Sequence, residues 1–99
     1  VYVAGPISGY DRYNFPSFQE ATRSLRESGW TVICPTENGV PAGAPWAAHM
    51  REDIANLITC DVVATLPGYT RSRGARLEVH IARSLGMRVV RWNRLGSPR

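Results

Sequence analysis

The sequence predicts a single α/β domain, a flavodoxin- or Rossmann-like three-layer sandwich around a four-stranded parallel sheet of order 2-1-3-4. Three observations predict it. Four short β-rich apolar runs occur along the chain, and the first three end in Gly or Pro. Each gap between them carries apolar residues at helical spacing, and regular β-α alternation implies right-handed crossovers and a parallel sheet. The 99 residues, 43% hydrophobic and 20% charged, suffice for one modest core and no second domain.

Residues 1–4 form the first predicted strand, ending at Gly5-Pro6. The next helix takes Asn14 as N-cap and Pro16 in its first turn, buries Phe18, Ala21, Thr22 and Leu25, and stops at Gly29. Residues 30–34 are the second strand, closed by Pro35, and Trp46, Met50, Ile54, Leu57 and Ile58 mark the apolar stripe of the second helix. Residues 61–66 form the third strand, ending at Pro67-Gly68. Leu77, Ile81, Ala82 and Leu85 mark the third helix, which stops at Gly86 before the fourth strand over residues 87–92. The domain spans residues 1–92, and 93–99 read as a polar tail. In such a sheet the ligand sits beyond the carboxyl ends of the strands where their order reverses. That places the loops over residues 5–14 and 67–73 around a cleft, with 35–45 as a flap.

All 12 basic residues are Arg, and the net charge of +4 permits an anionic partner. The arginines are spread along the chain rather than lining one helix or alternating with aromatics, which argues against nucleic acid and suits a small phosphorylated ligand. No apolar run approaches the roughly 18–20 residues that span a bilayer, and no basic-then-apolar leader is present, so a cytoplasmic protein without a membrane partner is expected. An initiator Met is expected ahead of Val1. A core this small benefits from self-association, hence an expected homo-oligomer. Cys34 and Cys60 have neither C-x-x-C spacing nor a His pair, so they read as buried thiols. His49 and His80 stand alone and read as structural or solvent-facing. No metal and no cofactor are expected.

Two carboxylates break the apolar pattern. Glu78 falls on the inward stripe of the third helix and Asp53 on or beside that of the second, where a carboxylate is costly unless paired or used. Both helices can flank one cleft, where desolvation and mutual repulsion would separate the two pKa values for acid/base or nucleophilic work. The plain reading of either residue is a buried pair with Arg. Ser72 and Gly74 open the third helix, where exposed backbone N–H groups make an anion site, although Ser72 as an ordinary N-cap explains the same residue. Gly5, Ile7, Ser8 and Gly9 follow the first strand and allow close approach of backbone to a ligand, or simply a turn. Tyr2, just ahead of them, can send its hydroxyl toward the cleft. Trp46 opens the second helix and is either a base-stacking platform or core.

Together, Tyr2-Val-Ala-Gly5-Pro6-Ile-Ser8-Gly9, then Asp53-x7-Asp61-Val-Val, then Ser72-x-Gly74-x3-Glu78-x3-Ala82 resemble the nucleoside 2-deoxyribosyltransferase-like superfamily over nearly the whole chain. Leu66-Pro-Gly68 and Asn14-Phe-Pro-x-Phe18 are similar to short phage and bacterial members. The resemblance implies that Glu78 attacks C1′ of the sugar, that Asp53 assists and protonates the leaving base directly or through water, and that Tyr2 positions the nucleophile. It further implies a retaining displacement through a glycosyl-enzyme ester. Ser72, where the transferases carry an acidic residue, is similar to the 2′-deoxynucleoside 5′-phosphate N-hydrolases, in which this position binds the 5′-phosphate. Pro6 and Ser8 depart from the Ser and Arg of that loop in the hydrolases. Pro67-Gly68 ahead of Gly74 and Glu78 also partly resembles the loop of cytokinin riboside 5′-monophosphate phosphoribohydrolases. The expected function is base removal from a (deoxy)nucleoside 5′-monophosphate; the alternatives are base exchange by deoxyribosyl transfer and a nucleotide-binding module without turnover.

Overall fold

The computed structural model describes residues 1–7 and 11–98. It is a small α/β domain whose three parallel strands, β1 (Tyr2–Ala4), β2 (Val62–Thr65) and β3 (Arg88–Arg91), run in the order β1-β2-β3. Helices α1 (Phe15–Glu27) and α2 (Trp46–Leu57) lie between β1 and β2 in the chain, and α3 (Arg73–Ser84) lies between β2 and β3. The register sets Tyr2 opposite Val63, and Val63 opposite Val89.

The expected second strand is not formed, so the sheet has three strands. Residues 30–34 run beside β1, but only Ile33 pairs there, in an isolated parallel bridge to Tyr2. The Ile33 N–H donates to Val1 O at 2.8 Å and the Val3 N–H donates to Ile33 O at 3.1 Å. The next bond of that ladder needs an N–H at position 35. Pro35 has none and starts a 3-10 turn (Pro35–Glu37), so pairing stops.

Alternation along the strands divides the core between the two faces of the sheet. Val3, Ala64 and Leu66 pack with Phe18, Ala21 and Leu25 of α1. Tyr2, Ala4 and Val63 face the other way and pack with Leu57 of α2 and with Val79 and Ala82 of α3. The stripe expected for α1 is the buried one, but that of α3 is rotated. Ala75, Glu78, Val79 and Ala82 are buried, whereas Leu77 and Leu85 are exposed. Small residues face inward because α3 sits close to its neighbours: a Cβ on Gly74 would lie 3.0 Å from Met50 Sδ. In α2 the buried residues are Met50, Asp53 and Leu57, with Ile58 exposed just beyond its end.

Asn14 occupies the N-cap position of α1 but caps nothing. Its backbone is left-handed (φ 59), and its Nδ2 donates instead to Pro6 O at 2.9 Å, tying the start of the loop after β1 to the start of α1. The segment read as a tail packs onto the domain: Leu95 is buried in the α1-side core, and Trp30 Nε1 donates to Gly96 O at 2.6 Å. Cys34 is buried and Cys60 half-buried, both free thiols. No helix among the described residues is long and apolar enough to cross a membrane.

Candidate active site

Three elements bring three polar side chains into the α2–α3 side of the core. The pleat of β1 turns Tyr2 toward α3, where it is fully buried, and its hydroxyl donates to Glu78 Oε2 at 2.5 Å. Glu78 is only 4% exposed and Asp53, from α2, 5% exposed. Asp53 Oδ1 accepts a bond from Asn38 Nδ2 at 2.9 Å, while Asn38 Oδ1 accepts the Val40 N–H at 2.9 Å. Asn38 thus uses both ends of its amide to hold the 35–45 loop against α2. No Arg bonds either carboxyl among the described residues, so the buried-pair reading fails for both.

Burial pushes the Glu78 carboxyl up to about 8, with the neighbouring Asp53 charge adding to the rise and the Tyr2 hydrogen bond holding it down. Burial also raises Asp53, against the Asn38 hydrogen bond and the His49 charge, which favour its ionised form; Glu52 adds to the rise. The Tyr2 hydroxyl is raised by its own burial and by Glu78 and Asp53, which keeps it a proton-bearing donor.

Glu78 and Asp53 line a cleft of about 420 Å³ between α2, α3 and the 35–45 loop, with Tyr2 buried behind Glu78. Asn38 and His49 add to its polar lining, and Ile7, Phe15, Val40, Trp46 and Met50 give it apolar walls. Tyr13 also lines it and, like Asn14, holds a left-handed backbone, with φ 53. Strain of this kind gathers at ligand-binding sites. At the N-terminal end of α3, Ser72 Oγ accepts the Ala75 N–H at 3.2 Å, so the capping reading of Ser72 holds while the residue also lines the cleft. Trp46 is 39% exposed, which removes the core reading, and the Arg73 guanidinium stacks 3.7 Å from its ring centroid.

The structure therefore brings Tyr2, Glu78 and Asp53 together and places Gly5, Ile7, Ser72, Gly74 and Trp46 around the same cleft. Gly5 also has a packing reason: a Cβ there would lie 2.7 Å from Leu66 Cδ1. Ser8 and Gly9 lie outside the described residues. Sequence reading missed Asn38, which sits before Gly39 and looks like an ordinary turn residue. It also passed over His49, although a position four residues before Asp53 shares its helix face.

A family model matches residues 1–91, which include all three strands, all three helices and every residue of the cleft. The chain belongs to the family described as Domain of unknown function (DUF4406). The DUF4406 match ends before residues 93–98, so the packing of Leu95 and Gly96 onto the domain lies beyond it. No curated protein matches the chain.

Proposed function

We propose that this DUF4406 protein is an N-glycoside hydrolase that removes the base from a (deoxy)nucleoside 5′-monophosphate, with Glu78 as nucleophile. The observation that carries the reading is the Tyr2–Glu78 hydrogen bond at the cleft, beside a second buried carboxyl. A folded chain gains nothing from burying two unpaired acids side by side, whereas a retaining glycosidase uses such a pair. The position of residues 30–34 beside β1 supports a doubly wound, flavodoxin-like order, in which the cleft lies at the switch between β1 and β2.

In this reading the ionised Glu78 carboxylate attacks C1′ as the base departs, through an oxocarbenium-like transition state, and water then resolves the glycosyl ester. Tyr2 holds the attacking carboxyl in one orientation and favours its charged form. The Ser72 end of α3, with its helix-terminal N–H groups, suits the 5′-phosphate. A second reading, a nucleotide-binding module without turnover, is favoured by one observation: a Glu78 carboxyl near 8 is mostly protonated at neutral pH.

The test is chromatography of free base released from deoxynucleoside and ribonucleoside 5′-monophosphates by the wild type and by Glu78→Ala. Base from the wild type alone supports the hydrolase and names the substrate. Full hydrolysis by Glu78→Ala sinks it, and thermal stabilisation by a nucleotide that survives unchanged selects the binding module.

A further inference from the structure

Departure of a natural purine base is assisted by a proton delivered to it, and the cleft holds an imidazole that the nucleophile and its partners do not use. His49 lines the cleft one helical turn before Asp53 on the same face of α2 and is half-buried, and its imidazole makes no hydrogen bond among the described residues. Asp53 is nearly fully buried and already gives one carboxyl oxygen to Asn38. The two side chains interact, since the His49 charge favours the ionised form of Asp53. The arrangement sets a carboxylate and an imidazole on one helix face toward one cleft, the pairing that general acid–base chemistry uses.

We propose that His49 is the general acid of the cleft and that Asp53, held by Asn38 one helical turn away, is the carboxylate that works beside it. The assignment rests on the hydrolase reading above. In the first step the Glu78 carboxylate forms a bond to C1′, the C1′–N bond breaks with its electron pair going to the base, and the His49 imidazolium gives its proton to that nitrogen. In the second step neutral His49 takes a proton from the water that attacks C1′, and the C1′–O bond to Glu78 breaks. Glu78 and His49 return to their starting states, so the net change is addition of water across the glycosidic bond. Around His49 the other titratable groups of the cleft are Asp53 on its own helix, Glu78 from α3 and Tyr13 from the turn ahead of α1; Glu52 is exposed beside it on α2.

The test compares two leaving groups. A natural purine 5′-monophosphate needs a proton on its departing base, whereas its N7-methylated counterpart already carries a positive charge and departs neutral. Read as the single-turnover burst of base release, which reports the first step alone, His49→Gln is expected to slow loss of the natural base by about a hundredfold or more and that of the N7-methylated base by only a few-fold, while the later water step slows for both. His49→Asn gives the same comparison with a shorter amide, and each variant is its own folding control because both substrates meet the same protein. Equal slowing of both substrates, or of neither, overturns the assignment while leaving the hydrolase reading in place. Failure of the wild type to cleave either nucleotide overturns both.

Discussion

The Tyr2 hydroxyl and the Glu78 carboxyl are 76 positions apart in the chain and 2.5 Å apart in space, joined across the space between β1 and α3. Tyr2→Phe removes the one hydrogen bond that holds the Glu78 pKa down. The acid limb of the pH–activity profile is therefore expected to move above its wild-type position near 8, with turnover lower by roughly ten- to hundredfold. Measuring kcat/KM from pH 5 to 10 for both proteins checks this; an unshifted limb would separate Tyr2 from the nucleophile.

The same buried acid sets the pH dependence of stability. Glu78 is raised from 4.5 to about 8 on folding, so the folded chain holds a proton that the unfolded chain releases between those values. Stability is full below about 4.5, falls as pH rises through about 8 and then levels off, a loss of up to ~5 kcal/mol. Asp53, also raised, acts in the same sense. Glu78→Gln cannot ionise and is expected to flatten this decline, with Tm above wild type at pH 9 and near it at pH 5. Denaturant melts across that range decide it.

Asn38→Ala releases both Asp53 Oδ1 and the Val40 N–H. Loss of the bond to Asp53 lets its carboxyl rise further, and the 35–45 loop loses its tie to α2. Activity is expected to fall by about tenfold, with faster amide exchange over residues 36–44 and unchanged exchange in β2. Hydrogen exchange read by mass spectrometry separates this outcome from global destabilisation.

Gly5→Ala places a Cβ 2.7 Å from Leu66 Cδ1, inside any contact that carbon tolerates. The expected cost is about 1–3 kcal/mol, and because Leu66 Cβ lies only 2.8 Å away as well, Gly5→Ala combined with Leu66→Val should recover little of it. Chemical denaturation of the single and double variants gives the coupling directly.

How much of this was legible depended on whether one segment decided its own environment. The stripe of α1 could be read because Phe18 and Leu25 recur at helical spacing with Ala21 and Thr22 and point inward, while Phe15 at the helix start is exposed. In α3 the size cue misled: Leu77 and Leu85 look like core, but the inward face, closely packed where Gly74 meets Met50, carries Ala75, Glu78, Val79 and Ala82. Glu78 and Asp53 were legible as carboxylates on apolar faces, and their shared cleft followed from the helices expected to flank it. The loss of the expected second strand turned on a single absent N–H at Pro35, in a run whose composition is that of a strand. Asn38 could not be found from sequence, because its role exists only where the loop meets α2.

The close packing of Gly5 against Leu66 separates two kinds of evolutionary constraint. A lineage that abandons the cleft's chemistry still cannot place a larger residue at position 5 without rebuilding the core beneath it. Glu78 answers to the opposite pressure, since in an idle cleft Leu or Met there would relieve the burial of an acid and stabilise the fold. Among related sequences, Gly5 therefore traces descent of the fold, whereas a carboxylate retained at position 78 marks those lineages in which selection still acts on what the cleft does.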